Sequence, residues 1–177
     1  MNCHQLRQQA KSLGLIRYSK LRKAQLHELI SKRLAKEEIP LQHLAPKFIL
    51  KRLIRKRAWE WQLEELQALN GKYLEALSVI MGVPKSGNKQ QKIERLWAVA
   101  EVRGSMKDFS NPSDHDEVKA IAQTIAASFK GKELKALCKK VKTFAPSTKY
   151  GMAASLLNWR KTCNVNGMQA LQNLKSA

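Results

Sequence analysis

The chain has 177 residues, with 33 Lys and Arg against 14 Asp and Glu, so its formal charge is +19. A folded domain with that surplus repels itself unless something acidic neutralises it, which narrows the partner classes to nucleic acid, anionic membrane or an acidic protein. Hydrophobic residues make up 44% of the chain, enough to build cores and too many for a wholly disordered basic tail.

Membrane is disfavoured because no apolar run approaches the ~20 residues of a spanning helix. No apolar h-region follows Met1, and Asn2 stands where myristoylation needs glycine, so an intracellular location (cytoplasm, nucleoid or nucleus) is expected. Cys3, Cys138 and Cys163 are far apart, with no C-x-x-C pair or Cys/His ligand spacing. Idle thiols in a reducing compartment, with no metal and no cofactor, are therefore expected. With 8 Gly, 5 Pro and almost no β-branched alternation, an all-α fold is predicted.

Taken in chain order, the first helix pair reads Gln5 to Leu13, a link over Gly14 to Ser19, then Lys20 to Leu34. Leu6, Ala10 and Leu13 share one face, Gly14 suits a left-handed helix end, and Ser19 is a fair N-cap. Leu15, Ile16 and Tyr18 are too few for a strand and are expected to plug the core as an extended link. After Pro46 one long helix is predicted to about Leu69, stopped by Asn70-Gly71. Its basic half interleaves Ile49, Leu50, Leu53 and Ile54 with six cations, of which Lys47, Lys51 and Arg55 form a stripe that Arg52 and Lys56 extend. Of Trp59 and Trp61, two apart, one is expected in the core and the other exposed.

A second pair repeats the design: Tyr73, Leu74, Leu77 and Ile80 on one face, Gly82 at the end, a link over Val83–Asn88, and a helix from Lys89 to about Val102. The polar stretch Arg103–Asp114 reads as a linker, and a helix to about Phe129 follows, with Asp114 as N-cap and Glu117 closing a capping box. The Asp114–Glu117 cluster is better explained by that cap than by a metal. A third pair has Leu134, Leu137, Cys138 and Val141 on its first helix, Thr143–Thr148 as link and Tyr150–Arg160 as second helix, but lacks the terminating glycine. The segments are thus 1–34, 35–72, 73–104, 105–131 and 132–177, the last comprising the third module and a tail. Charge is uneven: +11 over 1–60, +1 over 61–104 and +7 over 105–177.

In the middle pair, Leu74, Leu77, Gly82, Val83, Pro84, Ser86, Gly87, Lys89, Ile93, Glu94, Arg95 and Leu96 fall at the positions of the SAP pattern. That stretch resembles the SAP domain, a small DNA-binding module; Lys92 departs from it, standing where the family places an aliphatic core residue. In the first pair, Leu13-Gly14-Leu15, then Tyr18 to Lys23 and Leu26 to Ile30, resemble the N-terminal module of the transcription terminator Rho. The two resemblances imply helix–extended–helix modules that bind nucleic acid.

Each module offers a helix N-terminus with cations beside it, which suits a phosphate. The expected contacts are Lys20, Arg22 and Lys23 in the first module, and Lys85, Ser86, Gly87 and Lys89 in the second. By position, Lys142, Ser147 and Lys149 are their counterparts in the third, and the stripe Lys47, Lys51, Arg52, Arg55 and Lys56 could follow a phosphate backbone. No nucleophile elbow, P-loop, zinc-protease motif or catalytic carboxylate pair occurs, so no enzyme is expected. Duplex DNA bound mainly through phosphates is the first reading. RNA is the alternative, and a basic adaptor docking an acidic protein is the rival from another class.

Overall fold

The computed structural model describes residues 2–35, 39–112 and 115–176. Nine helices are found among them: α1 (Cys3–Ser12), α2 (Lys23–Leu34), α3 (Pro46–Arg55), α4 (Leu63–Gln67), α5 (Gly71–Ile80), α6 (Lys89–Ser105), α7 (His115–Ser128), α8 (Gly131–Lys140) and α9 (Lys149–Ser176). Short 3-10 turns lie at Leu41–His43 and Ala58–Glu60. No strand is present among the described residues, only an isolated antiparallel bridge between Leu15 and Leu44. The protein is all-α.

One turn recurs three times. At the end of α1, Gly14 adopts φ +70° and the Leu15 amide donates back to the Ala10 carbonyl at 3.0 Å. At the end of α5, Gly82 also has φ +70° and Val83 donates to Ser78 at 2.9 Å. At the end of α8, Lys142 has φ +54° and Thr143 donates to Cys138 at 3.0 Å. Each is a six-to-one closure that satisfies terminal carbonyls and throws the next residues out as an extended link. The third pair thus makes the same turn without the glycine. In the first pair the link behaves as expected: Leu15 is buried and pairs with Leu44, while Ile16 donates to the His43 carbonyl at 2.9 Å.

Several boundaries differ from the sequence reading. Ser19 caps nothing; Arg22 holds the N-cap position of α2, its amide donating to Gln25 Oε1 at 3.0 Å. Lys20 accordingly precedes the helix. The expected long helix from Pro46 to Leu69 breaks into α3, a 3-10 turn and α4. Lys56 is extended, and the chain folds back so that Trp61 is buried and its Nε1 donates to the Leu53 carbonyl at 3.0 Å, capping α3. The reversal also brings Glu65, fully buried, to 3.0 Å from both Arg52 and Lys56. On one unbroken helix Arg52 and Glu65 would stand about 20 Å apart. Trp59 stays 37% exposed.

Asn70 is a start signal as well as a stop, since its side chain accepts from the Tyr73 amide and caps α5. Nor is the polar stretch after Arg103 a free linker. Helix α6 runs on to Ser105, Met106 is fully buried, and Phe109 packs on Phe129 with ring centroids 6.2 Å apart. Asp114 lies outside the described residues, and with it the expected capping box.

Apolar side chains form two clusters. One runs from Leu6 to Ala100 and takes in Cys163; the other runs from Val102 to Leu157. Helix α9 serves both, because it extends well past Arg160, where the sequence reading ended its helix. Met152, Ala153, Leu156 and Leu157 fill the second cluster, and further along the same helix Cys163 reaches the first. There α9 lies backbone against backbone on the end of α5: a Cβ on Gly82 would collide with the Cys163 carbonyl, and one on Gly167 with the Ile80 carbonyl.

Gly82→Ala is therefore expected to cost at least about 2 kcal/mol, from the left-handed backbone and the collision together. Gly71→Ala, where nothing lies within 4 Å of an added Cβ, should be neutral or slightly stabilising. Urea unfolding of the two variants beside the parent checks the contrast.

Candidate nucleic-acid interface

The middle link is held rigidly at its base. Val83 is buried, Pro84 to Gly87 are exposed, and the Arg95 guanidinium reaches back to donate to the carbonyls of Pro84 and Ser86. Gly87 has φ +103°, as its position in the turn requires. Asn88 and Gln91 then cap α6 reciprocally, the Gln91 amide donating to Asn88 Oδ1 at 2.9 Å and the Asn88 amide to Gln91 Oε1 at 3.0 Å. The amides of Lys89 and Gln90 have no intrahelical acceptor, as in any first turn. Lys85 and Ser86, both exposed, precede them in the link, and a helix N-terminus with a cation near it in sequence suits an anion.

Two lysines here have further duties. Lys89 Nζ donates to the Gln67 carbonyl at 2.8 Å and so ties α6 to the end of α4. Lys92, the departure from the SAP pattern, buries its stem and reaches Glu75 at 2.6 Å, which holds the Glu75 carboxyl below its ordinary value. The aliphatic position is thus filled by a snorkelling lysine and is not free for a ligand.

A cleft of about 670 Å³ brings Ser86 and Gly87 of this link together with Lys142, at the left-handed turn of the third pair. Arg95 and Lys140 line it too, and Trp159 and the buried Cys163 form part of its wall. Lys140 is paired with Glu101 at 2.9 Å, whereas Lys142 is exposed and has no ion pair among the described residues. Burial pushes the Cys163 and Cys138 thiols up, so neither is activated as a nucleophile. Ser147 is exposed but not the cap of α9; Thr148 is, its Oγ1 accepting from the Gly151 amide at 3.1 Å. Lys149 opens α9 and Lys89 opens α6, and both lie outside the cleft, as does Lys85 in the link.

In the first module, Lys20, Arg22 and Lys23 are all exposed around the start of α2. The α3 stripe is divided: Lys47, Lys51 and Arg55 face solvent, but Arg52 and Lys56 are drawn down onto Glu65. Those two hold the fold-back as ion pairs with Glu65. Sequence reading missed Arg95 and Lys140, which only the folded cleft brings in, and exposed Arg17, which has φ +54° in the first link. Lys142 stands where Gly14 and Gly82 stand in the other two pairs. Among the described residues no group of three His, Cys, Asp or Glu could hold a metal. No helix among them is long and apolar enough to cross a membrane.

A left-handed lysine costs about 1 kcal/mol relative to glycine and is kept where its side chain has a use. Lys142→Gly should raise stability by about that amount and yet weaken nucleic-acid binding, lowering the salt slope by about one unit. Thermal unfolding and a salt titration of duplex binding check both signs together.

Residues 1–39 match the family model of the Rho termination factor, N-terminal domain, a SAP-like helical nucleic-acid-binding module. No curated protein matches the chain. No solved structure matches it either.

Proposed function

We propose that the protein is a non-enzymatic nucleic-acid-binding protein that grips duplex DNA through phosphates with little sequence preference. The observation that carries this reading is the cleft in which the exposed Ser86-Gly87 link meets Lys142, an exposed cation with no ion pair among the described residues, with Arg95, Lys140 and one carboxylate, Glu94, also lining it. The match of residues 1–39 to the Rho N-terminal domain supports a nucleic-acid partner from a separate part of the chain. Duplex is favoured because the middle link keeps the Pro84-x-Ser86-Gly87 turn of a DNA-binding module. The candidate contacts are Lys, Arg, Ser and backbone amides, which read charge and position and not base edges.

RNA or single-stranded binding has two observations in its favour. One is the Rho match. The other is Phe144, 76% exposed in the third link, a face on which a base could stack.

A binding panel of duplex, single strand and RNA across salt separates the readings. Duplex binding should be micromolar or tighter, with log affinity falling by several units per decade of salt. Lys85→Ala with Lys89→Ala should weaken it more than Lys130→Ala with Lys175→Ala. Phe144→Ala should leave duplex binding unchanged; a loss of about 1 kcal/mol or more on single strands, with those the preferred ligand, reverses the choice. A slope near zero would instead favour a basic adaptor for an acidic protein.

A further inference from the structure

Two arginines, one buried and one half-buried, have no carboxylate partner among the described residues. Arg160, 7% exposed on α9, donates to the carbonyls of Met106 and Phe109 at 3.2 Å, again to Phe109 at 3.1 Å, and to Ser110. It closes the end of α6 and the segment beyond it. Arg103 on α6 donates to Asn164 Oδ1 at 3.0 Å. In both, the buried Nε has no hydrogen-bond partner among the described residues. Neither forms a salt bridge there. Burial lowers both guanidinium pKa values, and Arg103's charge lowers that of Arg160 further. Carbonyl and amide oxygens supply partial charge only, so the positive charge of the pair remains uncompensated by the fold.

Both side chains line a pocket of about 230 Å³. Lys107 adds a third cation, Ser110 and Asn164 add polar groups, and Trp59 supplies an aromatic wall. No Asp or Glu lines it. Three cations with no carboxylate among the lining residues favour an acceptor of high negative charge, and the limited volume favours a compact one.

We propose that this pocket binds a phosphate dianion, as free inorganic phosphate or as the terminal phosphate of a nucleic-acid strand. A phosphodiester within a strand carries one charge and must leave the site in two directions, so a terminal or free phosphate suits the pocket better. The site is separate from the link residues of the interface, and it can stand or fall without them.

The test is thermal unfolding in inorganic phosphate against chloride at equal ionic strength, for the parent, Arg103→Met and Lys107→Gln. At ten times its Kd, phosphate should raise the parent Tm by about 3–6 °C. Arg103→Met should melt no lower than the parent in chloride, because it removes a half-buried charge that no carboxylate compensates, and should lose the phosphate increment. Lys107→Gln, at an exposed position, should fold normally and lose part of it. No increment in the parent, or the same increment in both variants, as general salting would give, overturns the proposal. Oligonucleotides with 5′-phosphate and 5′-hydroxyl ends then identify the source. At least tenfold tighter binding of the phosphorylated end, lost in Arg103→Met, assigns the terminal phosphate, and equal binding beside a positive Tm result assigns free phosphate.

Discussion

A chain with a charge of +19 folds against its own field, and the placement of its few carboxylates governs which cations remain available. Glu65 neutralises Arg52 and Lys56 beneath the reversal between α3 and α4. Glu75 holds Lys92 across α5 and α6, and Glu101 holds Lys140 across α6 and α8. These anions lie between helices, and for Arg52, Lys56 and Lys92 they offset the cost of drawing a cation out of water. Lys20, Arg22, Lys23, Lys85, Lys142 and Lys149 have no ion pair among the described residues. The same economy that permits the core leaves the links positive.

A helix pair of this size cannot bury enough apolar surface to stand alone, so the architecture depends on sharing. The recurring left-handed turn sets the geometry of each pair, and helix α9 supplies the sharing. It packs Leu156 and Leu157 into one core and Cys163 into the other. Its close passage over the end of α5 requires a residue without a side chain at Gly82 and at Gly167. The cleft between the second link and the third turn is a consequence of that docking, since Trp159 and Thr162 of α9 line it as well. Helix packing thus positions a surface that no single module contains.

Helical class and the pair design were legible because they follow from local signals: apolar spacing, Gly14 and Gly82, and the turn around Gly87. The errors fall where a distant partner overrode local preference. The run from Pro46 to Leu69 is a good helix by composition, and it breaks because Trp61 can cap α3 and Glu65 can reach two cations only if the chain reverses. Tertiary burial outweighs the few tenths of a kcal/mol per residue that propensity offers. The α3 stripe looked uniform for the same reason, since nothing local distinguishes Arg52 from Lys51. In the third pair the glycine that marks its siblings is replaced by Lys142, a choice the backbone tolerates and local rules disfavour.

The cations fall into two electrostatic regimes, and the difference bears on how each could act. Those on the links face water, where charges more than about 8 Å apart are largely screened at physiological salt. Each is weak alone, so gripping a polyanion depends on many such contacts acting together and on the counterions they release. Arg160, buried, and Arg103, half-buried, sit in the opposite regime, partly desolvated, close enough to repel one another, and fixed by backbone carbonyls and by the Asn164 amide oxygen respectively, which orient them without neutralising them. Charge held in that way is little screened by salt and selects for geometry more than for length of contact. A surface of the first kind suits an extended, repetitive ligand, and a pocket of the second kind suits a single defined group. Because the two draw on different residues, loss of one need not remove the other, and salt is the variable that separates them.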